Sequence, residues 1–374
     1  MLYWDNNATT AVAPEVLEAM LPYLREERCF NPSAAYGPAR LVRRAMQHAR
    51  EQVAALIGAD PAEIIFTSGG TEASNTALRC FSCTLSLATE HPATLNSAAG
   101  DACPVLRNGL ADVPTWKELL PGHDGASFAW ANHETGVIQP VHTLAQSAHA
   151  AGARVHVDLV QAAGKVPVDV HAHEIDFASL SAHKIHGPKG VGALYLRAGT
   201  ELEQPLLTGG DQEDLRRAGT ENVPGIIGFG AAAELALAAA ETYANLATLR
   251  ERFMELLRAG GVEPAINGAA APRLPHVLNM RVPGVSAESL LILLEPAGLI
   301  CSGGSACTSS HPAPSHVLTA MGLGDAEARE SLRISLSRYT TMQDVEQAAA
   351  IFLQALRTLR EAQSPMTGPV TVYR

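Results

Sequence analysis

The sequence predicts an α/β protein. A large domain on a mostly parallel sheet spans residues 15–250, and a smaller C-terminal α/β domain, 251–374, takes in residues 1–14. Three observations predict this. Short apolar runs alternate with helical stretches through most of the chain. Thr71, Asn132, His133, Asp158, Gln161, Ser181, His183 and Lys184 gather at the carboxyl ends of those runs, where open sheets bind ligands. A strand–helix–strand–helix set then follows residue 259 with apolar positions of its own.

Residues 14–26 and 37–57 carry helical spacing. "EIIFTSGGTEASNTALR" predicts a strand, a glycine turn and a helix opening at Thr71 and Glu72. "ASFAWANHETG" is a strand ending in polar residues, "ARVHVDLVQAAGK" one ending at Asp158, and "IDFASLSAHK" a third. Residues 225–259 form one long, kinked helix in this reading. "LPHVLNMRVPG", "AESLLILLEPAGLI" and "LRISLSRYTTMQDVEQAAAIFLQAL" supply the smaller domain.

Composition narrows the function classes. Of 374 residues, 47% are hydrophobic and 17% charged, which suits a packed enzyme rather than a disordered chain. A net charge of −11 argues against a nucleic-acid partner, since phosphate demands concentrated positive charge. "MLYWDNNATT" has no basic region followed by an apolar core, so no signal peptide is expected. "IIGFGAAAELALAAA" is interrupted by Glu234 and predicts a buried helix, not a membrane span. Six cysteines in so long a chain make no disulfide framework, and the lone Cys80-x-x-Cys83 lacks a second pair at zinc spacing. A cytoplasmic, reducing compartment is expected.

"TSGGTEASN" offers Gly69 and Gly70 for close backbone approach and then a helix N-terminus, an arrangement that binds anions. The same residues also make a plain helix cap, and the spacing leaves both readings open. Asp158 ends a strand; it suits a metal ligand, a solvated loop residue or the partner of a cationic ring. Lys184 sits between apolar runs, either on a harmless hairpin or held for covalent chemistry. Together the three favour pyridoxal 5'-phosphate. Its aldehyde needs a lysine, its pyridine nitrogen a carboxylate and its phosphate a helix end.

"DNNATT", "NPSA", "TSGGTEASN", "TEHPA", "HVDLVQAAGK", "SAHKIHGPKGVGALYLR", "RRAGTEN", "GSACTSS" and "RISLSRYTT" together resemble the cysteine desulfurases of the class V aminotransferase group, over nearly the whole chain. The resemblance implies pyridoxal-phosphate fold type I and a homodimer. It implies that Lys184 forms the Schiff base, that Asp158 pairs with the pyridine nitrogen and that His91 stacks on the ring. Gln161 would meet the phenolic oxygen. Gly70, Thr71, Ser181 and His183 would hold the phosphate, with Thr220 reaching across from the other subunit. Arg333 would grip the substrate carboxylate, with Asn31 close by, and Cys307 would attack the sulfur of L-cysteine. A sulfur-acceptor protein, an iron–sulfur scaffold or a sulfur carrier, would then collect the persulfide. Cys307 lies in "CSGGSACTSSHPAPSHV", whose small residues and prolines predict a loop.

Some residues depart from that pattern. His133 stands where relatives carry asparagine, and Ala182 replaces a common glycine. Arg281 and Arg338 are expected to be structural, His186 to face solvent and Cys301 to be an ordinary thiol. A selenocysteine lyase or a class V aminotransferase is the alternative on the same fold, and a silent assembly partner the alternative from another class.

Overall fold

The computed structural model describes residues 1–303 and 313–363, so Cys307 lies outside the described residues. Seven strands form one sheet. Their spatial order is Ile64–Thr67, Gly192–Leu196, Phe177–Ser181, Arg154–Asp158, Gly125–Ala129, Thr84–Leu87 and Gly100–Cys103. Only Gly192–Leu196 runs against its neighbours, so the sheet is mostly parallel, as the sequence predicts. Strands Ile64–Thr67, Gly125–Ala129 and Phe177–Ser181 are buried at every residue. Both faces are therefore covered, which is why these strands read as unbroken apolar runs.

Helix Gly37–Ile57 buries Val42, Met46, Ala49 and Val53, a stripe at helical spacing, in the core that also takes Ile226, Phe229 and Ala233 of helix Val223–Ala238. Gly58 ends the first helix at φ 70, donating its N–H to Ala54; any side chain there would be strained. Phe128, Phe177 and Trp116 are fully enclosed. Truncating any of them to alanine costs about 3–5 kcal/mol.

A second core gathers Leu2, Trp4, Phe253, Leu290, Leu332 and Phe352, with Trp4 edge-on to Phe253 at 5.2 Å. Around it lie an antiparallel sheet (Ser331–Ser335, Val277–Arg281, Ala265–Ile266) and a parallel pair, Leu2–Tyr3 with Leu299–Ile300. The N-terminal strand thus pairs with Leu299–Ile300 and adds Leu2 and Trp4 to this core. The kink expected within 225–259 falls at Ala239. The stretch after 222 is two helices, Val223–Ala238 and Ala240–Ala259, bent by 65°. Tyr243 and Leu246, ahead of residue 250, already pack in the second core, so the change of core falls at that bend. No single described helix is long and apolar enough to cross a membrane; that pair qualifies only together.

Candidate active site

A cavity of about 910 Å³ opens where the strand ends meet the C-terminal unit. Its floor is made by consecutive strands of the sheet. Asp158 ends Arg154–Asp158, and Lys184 closes the turn after the neighbouring strand Phe177–Ser181. Parallel pairing places both at the same edge, so a register fixed by apolar residues delivers two polar ones to the cavity.

The Lys184 amine donates to the carbonyls of Asn7 and Ala8. Burial, reinforced by the Arg333 charge, pushes its pKa down to about 8, against the pull of Asp158 and Asp5. A useful fraction is then neutral and nucleophilic near neutral pH. Burial raises the Asp158 carboxyl, while the Val160 N–H, His91 and Lys184 draw it back toward the anion. Behind it lies Glu90, which accepts the Ala129 N–H at 2.9 Å and leaves its other oxygen buried without a partner. Burial, and then the Asp158 charge, raise the Glu90 carboxyl well above its usual range. Of the two acids, Glu90 is the one pushed further toward its neutral form.

Gly70 opens helix Gly70–Leu78 at the cavity wall, with Thr71 and Ser74 beside it. A Cβ on Gly70 would stand 2.7 Å from Val160 Cγ2, so only glycine allows this approach. Gly70, Thr71, Ser181 and His183 also line an adjoining hollow of about 370 Å³ that includes Lys189. His183 holds Thr9 Oγ1 at 3.0 Å, and burial pushes its pKa down to about 4. It is a neutral ring there.

His91 caps the short helix Pro92–Leu95 by accepting the Ala93 N–H on Nδ1, so a neutral ring carries its proton on Nε2. His133 meets it edge-on at 5.3 Å and stacks on His316 at 6.2 Å. Burial, then His91, Arg333, His316 and Lys184, hold His133 well below the usual imidazole range.

The opposite wall comes from the second unit. Arg333, nearly buried, gives one nitrogen to Asp5 Oδ1 at 2.7 Å and another to the His133 carbonyl at 3.1 Å. Its Nε is buried and unpartnered. Asn7 joins the walls: it takes Ser335 Oγ on its N–H, His276 on Oδ1, and gives Nδ2 to the His133 carbonyl. Cys301, Ser302 and Gly303 line the cavity on one side of the undescribed 304–312, and Ala313–His316 line it on the other. Burial and Asp5 push the Cys301 thiol up to about 12.

The cavity thus brings together Gly70, Thr71, His91, His133, Asp158, Gln161, Ser181, His183, Lys184 and Arg333. It does not include Asn31, which is exposed and accepts the Ser33 N–H, nor Thr220, which is exposed beside Ser68 and Glu221. His186 is buried rather than solvent-facing, because its ring turns inward to the Ala11 carbonyl. Arg281 pairs with Glu327 and Glu330, the structural role expected of it. Sequence reasoning missed Asn7, Glu90, Lys165 and His316. The first three lie inside motifs already singled out, and only the fold separates them from their neighbours.

These residues fit pyridoxal phosphate: an amine of lowered basicity, a strand-end carboxylate, and a glycine-opened helix end beside hydroxyl groups. The comparisons agree. The profile of the family "Aminotransferase class-V" matches residues 2–348. The chain belongs to the class-V aminotransferases, in their cysteine desulfurase branch. A cysteine desulfurase of Trichormus azollae is 42% identical over 98% of this chain and 95% of its own. A solved NifS-like protein superposes with a TM-score of 0.87 at 34% identity, over 96% of this chain and 99% of that one. A structure described as SspA in complex with cysteine superposes at 0.80 with 31% identity, over 91% and 100%. The fold is therefore that of the pyridoxal-phosphate enzymes of type I.

Proposed function

We propose that this enzyme is a pyridoxal-phosphate cysteine desulfurase, which converts L-cysteine to L-alanine and carries the sulfur as a persulfide on Cys307. The observation that carries the reading is one cavity holding Lys184 and Asp158 on its floor, Arg333 on its far wall, and both ends of the segment containing Cys307. Cys307 is four residues beyond Gly303, at most about 14 Å of chain, so it belongs within reach of the cavity.

The cofactor, held by Lys184, Asp158, Gly70, Thr71, Ser181 and His183, supplies an electron sink at the substrate Cα. The chain does the rest. Arg333 binds the substrate carboxylate through the hydrogens it does not spend on Asp5 and His133. Lys184 in its free form takes the Cα proton, and His91 Nε2 holds or delivers a proton beside it. Cys307 thiolate attacks the substrate sulfur. The S–S bond forms, the Cβ–S bond breaks with its electrons on Cβ, Cβ takes a proton, and Lys184 returns to Cα the proton it removed. The balance closes on alanine and a persulfide without an outside oxidant.

Cys301 is the poorer candidate for that attack, because its raised thiol offers little thiolate. The function reading extends to a sulfur-acceptor protein of iron–sulfur assembly, a cytoplasmic setting and a homodimer. Thr220, exposed outside the cavity, suits the dimer because a partner's site is where it would act. One experiment tests the whole reading: alanine and sulfide are measured from cysteine, selenocysteine and cysteine sulfinate, with and without reductant. Alanine from cysteine that disappears in Cys307→Ser supports it. Thiol-independent turnover with a keto acid would indicate an aminotransferase instead.

A further inference from the structure

We propose that Lys165 is a positioning residue for this reaction: it fixes the Gln161 amide so that only Nε2–H donors face Asn7 and the cavity. The inference rests on reading Gln161 as a donor to the cofactor's phenolic oxygen.

Lys165 is buried, and among the described residues its hydrogen bond goes to Gln161 Oε1 at 3.0 Å. No carboxylate among the described residues pairs with it. Burial, then the Lys184 and Arg333 charges, hold its pKa well below the usual lysine range. Its own charge in turn bears on His276, His183 and His186. A buried lysine without an anionic partner is costly, and an apolar side chain of similar volume would sit there more cheaply.

The geometry gives that cost a use. Gln161 Nε2 donates at 3.1 Å to the Asn7 carbonyl, which can only accept and which also receives the Lys184 amine. Oε1 must then face the other way, and Lys165 is the donor that meets it. The amide is held at both ends, so the Nε2 hydrogen not given to Asn7 has one orientation. Without Lys165, Oε1 would be buried with no donor, and turning the amide over would relieve it. That turn would replace a donor with an acceptor exactly where a phenolate-like oxygen needs a donor. Gln161 and Lys165 are four residues apart in one turn of chain, so the pair is set locally.

The test uses the full chain loaded with pyridoxal phosphate. The readout is the pH midpoint of the cofactor's visible absorption change, with thermal unfolding as a control. Gln161→Ala removes the donor and should shift the midpoint by about one pH unit, the scale of one hydrogen bond to a charged group. Lys165→Met should reproduce most of that shift. The double variant should shift no further than Gln161→Ala alone, because Lys165 acts through Gln161. An unchanged midpoint in Lys165→Met, or shifts that add in the double variant, would overturn the proposal. Lys165→Leu, which also removes the donor, is taken through the same cycle if Lys165→Met does not fold. No shift in Gln161→Ala would remove the Gln161 contact and this proposal with it. The desulfurase reading is judged separately, by alanine release.

Discussion

The cavity floor that carries Asp158 and Lys184 and the wall that carries Arg333 differ in how far apart along the chain their parts lie. On the floor, Asp158, Gln161, Ser181, His183 and Lys184 come from two neighbouring strands and the turns after them. On the wall, Arg333 meets Asp5, 328 positions away, and the His133 carbonyl, 200 positions away. The floor is fixed once the sheet's register is fixed. The wall exists only when the N-terminal strand, the antiparallel sheet and the large domain have all docked. Binding the cofactor and binding the substrate carboxylate are therefore separable, and variants should split along that line.

The largest effect should come from the floor. Lys184→Ala removes the covalent attachment and the base at once; turnover should fall to background, with no visible band from lysine-bound cofactor and an unchanged unfolding temperature. Full turnover by that variant would end the cofactor reading. On the wall, Arg333→Gln should leave the cofactor bound and raise KM for cysteine. Losing charge-assisted hydrogen bonds of about 1.5–3 kcal/mol each predicts a loss of roughly ten- to a hundredfold in kcat/KM. Loss of bound cofactor in Arg333→Gln would show that wall and floor are not independent.

The smallest effect is a pH dependence of the floor alone. Lys184 has its folded pKa lowered to about 8, so the reactive neutral amine predominates above that pH and is depleted below it. Reattachment of pyridoxal phosphate to the cofactor-free protein, followed by absorbance, should quicken about tenfold per unit as pH rises toward 8 and then level off. A rate still climbing near pH 10 would mean that Lys184 keeps an ordinary basicity.

How much was legible follows the same division. The alternation of buried strands with helices gave the sheet, and strand-end placement gave Asp158 and Lys184, because register and period are local properties. Cys307 could be singled out only by the resemblance and the small residues around it. Arg333 came from the resemblance too, while its partner Asp5 carried no signal beyond sitting in a motif. His186 was misjudged because a histidine beside a glycine turn looks solvent-facing until the Ala11 carbonyl is seen against it. Lys165 was passed over as the end of "QAAGK", since a lysine after a glycine looks like a surface residue.

By itself the sequence determined the fold class and placed the polar residues of the floor, because apolar period, glycine turns and strand ends act over a few residues. Only the tertiary structure decided which of the buried acids is pushed further toward its neutral form, what holds Arg333, and that Lys165 meets Gln161. Those are matters of desolvation and of charges meeting across the chain, and no spacing along it encodes them.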